Sequence, residues 1–314
     1  MKRIVCALLI LLMILSLAAC ANNPAPQGQA PAGQNTQQAS QKLEITDLKG
    51  RKVVLDKVPE RIVSLSPANT EILFAVGAGS KVVGVTSFCD YPEEVKNIQK
   101  IGTFDGPNIE LIKKAQPDVV LAGGYIQEDL INTLEGLNIP VISTEAMDFN
   151  SIFDSIKLIG KITGNDDKAA EIVGGMQKKI NEIAEQTKDK EKPKVFYVVW
   201  TDPLTTAGAN TFINDVIKTA GGINTAEKAE GWAKYSAEQL VMDNPDILIS
   251  ALHSTDNGIT KETLSKMPAF ENLSCVKNGK IYVMPDDNII SRPGPRIVEA
   301  IEEMANVLYG AGIK

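Results

Sequence analysis

The chain has 314 residues, 44% hydrophobic and 23% charged, which is too apolar for disorder and long enough for two α/β lobes with cores or one large domain. Its formal charge is −7. Loss of residues 1–19 with Lys2 and Arg3 would leave 30 basic against 39 acidic groups, or −9, a balance that argues against nucleic acid as a partner.

The apolar run 4–15 behind Lys2 and Arg3, followed by small residues, has the form of a signal peptide, so residues 1–19 are expected to be removed on export. Leu17-Ala18-Ala19-Cys20 resembles a bacterial lipoprotein signal, which implies that Cys20 becomes the first residue, carries lipid and holds the protein on the extracytoplasmic face of the cell membrane. A plain secretory signal would not require a cysteine there. Residues 20–42 form the next segment. After Cys20 they are Pro, Gly, Gln, Asn, Ala, Ser and Thr with a single charge and no aliphatic side chain larger than alanine, a tether that cannot build a core. With Cys6 lost and Cys20 lipidated, Cys89 and Cys275 remain for the folded body, and no spacing rule pairs them.

Residues 43–150 read as an N-terminal α/β lobe. Segment 43–55 (LEITDLKGRKVVL) has the form of a hairpin, and 61–65 that of a short strand. Ser66 then offers an N-cap, Pro67 the first helical position, and Ile72, Leu73 and Val76 carry a helix to Gly77. Gly77 and Gly79 close that helix instead of opening one after a strand, so they are a C-terminal cap and not a dinucleotide fingerprint. Buried strands at 82–85, 119–122 and 139–143 alternate with helical segments. Such alternation implies a mostly parallel sheet whose crevice lies at the C-terminal strand ends, here the loops 66–69, 87–91, 103–107 and 123–127.

Residues 151–192 read as connecting helices. The second, 165–190, starts with Asp166 and Asp167, ends with Lys188 and Lys190, contains no proline, and repeats Ile172, Met176, Ile180, Ile183 and Ala184 at three- and four-residue steps. At 1.5 Å per residue it is a rod of roughly 35–40 Å, enough to span two lobes, weakened by about 1 kcal/mol at each of Gly174 and Gly175.

Residues 193–314 read as a C-terminal α/β lobe with a strand at 194–200, a loop at 201–210 and a helix at 211–220. This half echoes the first. NIELIKKAQPDVVL from Asn108 and SAEQLVMDNPDILI from Ser236 place Glu110 and Glu238, Pro117 and Pro245, and Asp118 and Asp246 in register, each 128 residues apart. Each copy is a helix closed by proline and followed by a buried strand, the mark of a duplicated architecture.

Catalytic chemistry is short of parts. His253 is the one histidine, so a multi-histidine metal site is excluded, and no G-x-S-x-G, P-loop or H-E-x-x-H motif is present. A solvated His253 at the cleft rim is the plainer reading, and a metal-dependent hydrolase using His253 with Asp256 is the alternative from another class. Binding fares better. Phe88, Tyr91, Phe104 and Tyr125 from one half, and Trp200, Trp232 and Tyr235 from the other, place seven of the sixteen aromatic residues on expected cleft loops. Flat apolar walls with few charges suit a large, partly hydrophobic ligand; Tyr91 and Tyr235 are also expected to pack inside their lobes.

Segments 61–92 (RIVSLSPANTEILFAVGAGSKVVGVTSFCDYP), 108–124 (NIELIKKAQPDVVLAGG), 231–249 (GWAKYSAEQLVMDNPDILI) and 291–301 (SRPGPRIVEAI) resemble the cobalamin-binding members of the helical-backbone substrate-binding proteins of ABC importers. The resemblance spans 43–310 and implies two Rossmann-like lobes with mostly parallel sheets joined by one long backbone helix. It implies a binding protein and not an enzyme, with cobalamin or a related corrinoid as ligand and no cofactor or metal of its own. Haem or a ferric siderophore is the alternative within the family. Phe88, Phe104 and Trp232 match aromatic cleft positions, Tyr125 and Trp200 join them as candidate ligand contacts, and Arg292 matches an arginine near the ligand. Glu110 and Glu238 match glutamates that dock on arginines of the two permease subunits. Gly123 stands roughly where the cobalamin binder has a tryptophan, and Asn288 roughly where it has an acidic residue.

Overall fold

The computed structural model describes residues 42–103, 106–123, 128–251 and 260–312. It opens with the expected antiparallel hairpin of β1 (Leu43–Thr46) and β2 (Lys52–Leu55). Asp47 holds it to the rest: its carboxylate accepts from the backbone N–H of Lys49 at 3.0 Å and Arg51 at 2.8 Å, from the Arg51 guanidinium, and from the Ser143 N–H at 3.1 Å.

The first lobe runs β3 (Ile62–Ser64), α1 (Pro67–Ala75), β4 (Val82–Val85), α2 (Ile109–Ala115), β5 (Val119–Ala122), α3 (Glu128–Gly136) and β6 (Val141–Ser143). Its four strands are all parallel in the order β4-β3-β5-β6. Both faces are covered, so β3, β5 and β6 are buried along their whole lengths instead of alternating.

Two helices follow. α4 (Phe149–Thr163) starts in a capping box in which the Asp148 carboxylate accepts from the Ser151 N–H at 2.7 Å, and α5 (Asp166–Thr187) is the rod expected from the sequence, three residues shorter at its C-terminal end. Its buried line is Ala169, Val173, Met176, Ile183 and Thr187, with Ile172 and Ile180 half-buried beside it. Where α4 and α5 meet, Gly160 is required: a Cβ there would lie 2.4 Å from that of Ala169.

The second lobe runs β7 (Lys194–Thr201), β8 (Leu204–Ala207), α6 (Phe212–Thr219), β9 (Ile223–Asn224), β10 (Trp232–Lys234), α7 (Ala237–Asp243), β11 (Ile247–Ser250), α8 (Lys261–Ser265), α9 (Ser274–Lys277), β12 (Ile281–Val283), α10 (Asn288–Ser291) and α11 (Ile297–Tyr309). Strands β7, β11 and β12 are parallel neighbours, β9 joins β7, and β8 and β10 are added antiparallel in the order β10-β8-β7-β11-β12. The expected loop at 201–210 therefore contains a strand. Asp202 and Pro203 turn the chain back tightly enough for Thr205 and Thr206 to pair with β7, an antiparallel addition that the strand-helix rhythm does not signal.

Alternate strand residues face two sides. Ile62, Val119, Leu121 and Ile142 of the first sheet, and Val195, Tyr197 and Ile249 of the second, point into one hydrophobic core that also takes in α4, α5 and α11. Val63, Val120 and Val141 instead meet α2 and α3, and Phe196, Val198 and Leu248 meet α7 to α9. Each lobe is a three-layer sandwich, and the two share their inner layer. Lys179 of α5 and Glu302 of α11 form an ion pair along that spine. Cys89 and Cys275 are free and lie in different core clusters.

Candidate functional site

In both lobes the parallel strands present their C-terminal ends to one side, and the residues that follow them build the candidate cleft. After β3, Ser66 caps α1, its hydroxyl accepting from the Asn69 N–H at 3.2 Å. After β5, Gly123 has no room for a side chain, because a Cβ would lie 2.8 Å from Ser66 Oγ, 2.9 Å from Asn69 Nδ2 and 3.2 Å from Thr144 Oγ1. A glycine at this position is thus set by the polar cradle around it. Within that cradle Asn69 Oδ1 accepts from Thr144 Oγ1 at 2.6 Å, while Asn69 Nδ2 is buried and has no hydrogen-bond partner among the described residues.

The loop after β4 carries Phe88, 55% exposed. In the second lobe Trp200 ends β7, 48% exposed, with its indole N–H donating to the Asp202 carbonyl at 2.9 Å. Trp232 opens β10, 43% exposed, its ring edge-on to Phe212 at 5.4 Å. Trp200 pairs with Thr205 and Trp232 with Ala207 across the two edges of β8, two residues apart, so both project from the same face of the sheet. Three large aromatic groups left half in solvent at strand ends are apolar surface available to a ligand. Trp232 lies on a strand and not on a loop, since Trp232–Lys234 pairs with β8. Phe104, Tyr125, His253 and Asp256 lie outside the described residues, as does Cys20. Tyr235 packs against Phe196 at 5.3 Å as expected, its hydroxyl bonded to Asp243. Tyr91 does not pack inside a lobe: it is exposed, with the Arg296 guanidinium 4.1 Å above its ring.

Arg292, which the resemblance places near the ligand, is held in a network of ion pairs and hydrogen bonds. It is 8% exposed, and its Nη1 donates to Glu71 at 3.0 Å and Asp90 at 2.7 Å, while Nη2 donates to the Phe88 carbonyl at 3.2 Å. Arg296 grips both oxygens of Glu71, at 2.8 and 2.7 Å, and lies 3.5 Å from Asp286. Burial is the largest single influence on Arg292 and opposes its charge, yet the hydrogen bonds to Asp90 and Glu71 outweigh it and the pKa is raised. Arg296 is raised as well, first by its hydrogen bonds to Glu71. Glu71 belongs to α1, Asp90 to the loop after β4, and both arginines to the segment between β12 and α11. The SPANTE, FCDYP and SRPGPR motifs therefore meet as one ionic junction between the lobes. Pairing across 221 residues leaves no periodic trace in the sequence, which is why the junction is not evident there.

Away from the cleft, the duplicated units match closely. Asn108 and Ser236 cap α2 and α7 by accepting from Leu111 N–H at 3.0 Å and Gln239 N–H at 3.1 Å, and Gln116 (φ 46°) and Asn244 (φ 43°) end them left-handed. Asp118 accepts from the N–H of Glu60 at 2.8 Å and Arg61 at 3.0 Å, and Asp246 from the N–H of Lys194 at 2.8 Å. Burial alone would raise the Asp118 pKa, but the backbone donors and Lys57 together bring it below its ordinary value. Glu110 and Glu238 both sit exposed in first turns, on the strand-end side of their lobes. They differ in neighbours: at i+3 and i+4 Glu110 has Lys113, 3.3 Å away, and Lys114, whereas Glu238 has exposed Val241 and Met242. Recesses of about 520 Å³ beside Ile247, Tyr282 and Leu308, and about 460 Å³ beside Phe153, Ile180 and Asp215, lie away from the strand ends that carry the aromatic groups.

A family profile described as periplasmic binding protein matches residues 62–288. The chain is 34% identical over 309 residues, 96% of its length and 95% of the relative's, to YvrC of Bacillus subtilis, an uncharacterized ABC transporter substrate-binding lipoprotein. It is 31% identical over 252 residues to a vitamin B12-binding protein of Salmonella typhimurium, 79% of this chain and 90% of that one. A solved structure described as a possible iron-binding (periplasmic solute-binding) protein from Staphylococcus epidermidis superposes with a TM-score of 0.68 at 32% identity, over 81% of this chain and all of that one. These relatives are solute-binding proteins and not enzymes, and their two-lobed fold is the one described above. The chain belongs to the periplasmic binding protein family, among the substrate-binding proteins of ABC transporters.

Proposed function

We propose that the protein is a lipid-anchored receptor that captures a corrinoid, cobalamin in the first instance, outside the cytoplasmic membrane and delivers it to an ABC importer. The observation that carries this reading is the set of half-exposed rings, Phe88, Trp200 and Trp232, at the strand ends, with Phe104 and Tyr125 assigned to the same cleft from the sequence. Rings of this size present flat apolar area that a macrocycle can cover on both faces. The vitamin B12-binding relative supports the corrinoid, and the possible iron-binding relative supports haem or a ferric siderophore as the second reading. Anchoring rests on Leu17-Ala18-Ala19-Cys20 and on the lipoprotein relative.

Calorimetry and absorption spectra of the purified protein with cyanocobalamin and with hemin decide between the ligands: one-to-one heat with cobalamin is expected, and saturable hemin binding without it would install the second reading. Trp232→Ala is expected to cost about 2 kcal/mol or more of binding, as buried aromatic anchors do. Glu110 and Glu238 are assigned to docking on cationic residues of the two permease subunits, where charge complementarity sets orientation and encounter. Glu110→Ala and Glu238→Ala are expected to leave ligand affinity within about twofold and to lower transport in reconstituted vesicles, the double change most. Normal transport by the double variant would reduce the pair to helix capping.

A further inference from the structure

We infer that Arg292 is a positioning residue, which holds the Phe88 wall of the cleft from the opposite lobe through the Phe88 carbonyl and Asp90. This rests on the reading of Phe88 as part of the ligand cleft. The loop that carries Phe88 has two kinds of anchor. On its own lobe Cys89 is buried, its sulfur 3.2 Å from the hydroxyls of Thr70 and Thr86, and its carbonyl accepts from Lys100 Nζ at 2.7 Å. Those contacts fix the residue after Phe88. Phe88 itself is half in solvent, and the hydrogen bond to its carbonyl comes from Arg292.

Charge balance alone does not require that bond. Glu71 already has both oxygens bound by Arg296, and a buried ion pair seldom adds net stability over an apolar filling of the same volume. Arg292 is a second cation on Glu71, and its shortest contact is to Asp90, whose side chain is 56% exposed. Asp90 is thus the accessible end of a buried network. A planar guanidinium reaching two carboxylates and a carbonyl at once fixes three directions in space, which a lysine with one nitrogen cannot do. The arrangement sets where the loop stands relative to the second lobe, and hence the gap that faces Trp200 and Trp232. A wall placed this way selects ligands by thickness.

Arg292→Lys keeps the charge and loses the fork, and Asp90→Asn keeps the shape and loses the charge, so both are suited to a chain that must still fold. With 4-fluorophenylalanine in place of Phe88, ¹⁹F spectra of the ligand-free mature protein are expected to show one narrow resonance for the parent and a shifted, broadened or split one for each variant. For whichever of cyanocobalamin and hemin the parent binds, affinity is expected to fall by about fivefold or more in each variant, mainly through faster dissociation. Unchanged ¹⁹F spectra in both variants would overturn the proposal whatever the ligand. A moved resonance with affinity within about twofold would overturn the link from wall to binding. If the parent binds neither ligand, the proposed function fails, while the ¹⁹F comparison still decides the role of Arg292.

Discussion

The two lobes are joined twice, by opposite physics. Along the spine, α5 lays Ala169, Val173, Met176, Ile183 and Thr187 along one face against neighbouring helices, and the core so formed runs through both lobes. At the cleft end, Glu71, Asp90 and Asp286 meet Arg292 and Arg296 through ion pairs. Apolar burial rewards area, is non-directional and tolerates small slips. Hydrogen-bonded charges reward geometry, and their removal from water offsets most of the attraction. The spine therefore supplies stability, and the junction supplies registry where a ligand would sit.

The sharpest break of that contrast is Glu71→Ala. It leaves Arg292, buried, and Arg296, partly buried, without their shared anion, and is expected to cost about 3 kcal/mol in urea unfolding. Replacing Glu71, Arg292 and Arg296 together by leucine or methionine is expected to restore most of that loss; a triple variant as unstable as Glu71→Ala would show that the junction contributes stability after all. On the spine, Ile183→Ala removes a fully buried side chain and is expected to cost about 3 kcal/mol. Because the core is continuous, unfolding should remain one transition by fluorescence and by circular dichroism. Two separated transitions would mean that the lobes are independent and the spine is only a tether.

A smaller effect is expected at Gly174 and Gly175. A Cβ at either position meets nothing within 4 Å and neither has positive φ, so Gly174→Ala with Gly175→Ala should stabilise by about 1 kcal/mol per site through helix propensity. Stabilisation accompanied by slower ligand release would mark the pair as the place where the spine bends. The smallest effect concerns Asp215, which accepts from the Phe149 N–H at 3.0 Å where α6 meets the start of α4. Burial raises its pKa above the ordinary 3.8, so the native state holds that proton to higher pH than the unfolded chain does. Its contribution is thus most favourable below 3.8 and is lost as pH rises through the raised value. Asp215→Asn should equal the parent in acid and exceed it at neutral pH; equal stability at both would remove the buried charge from the account.

Much of this was legible along the chain. Ser66, Pro67 and Gly77 marked α1, the 3.6-residue period and acidic first turn marked α5, and the Glu-Pro-Asp repeat marked two equivalent units whose caps and aspartate pins agree to within tenths of an ångström. Phe88 follows β4 and Trp200 lies near the end of β7, positions legible because strand ends in an α/β lobe can be located without coordinates.

The features legible along the chain are local: which segments are helices and strands, where they stop, and that the second half repeats the first. These follow from propensity, capping and periodicity, which act over a few residues. The tertiary structure alone decided the partners of groups that are distant in sequence. It adds β8 and β10 antiparallel to an otherwise parallel sheet, surrounds Gly123 with polar groups that a Cβ would strike, exposes Tyr91, and joins Arg292 to Glu71, Asp90 and the Phe88 carbonyl. A charged side chain takes the counter-ion nearest in space, and the chain's path through two lobes brings residue 292 to residue 71 with no pattern between them to announce it.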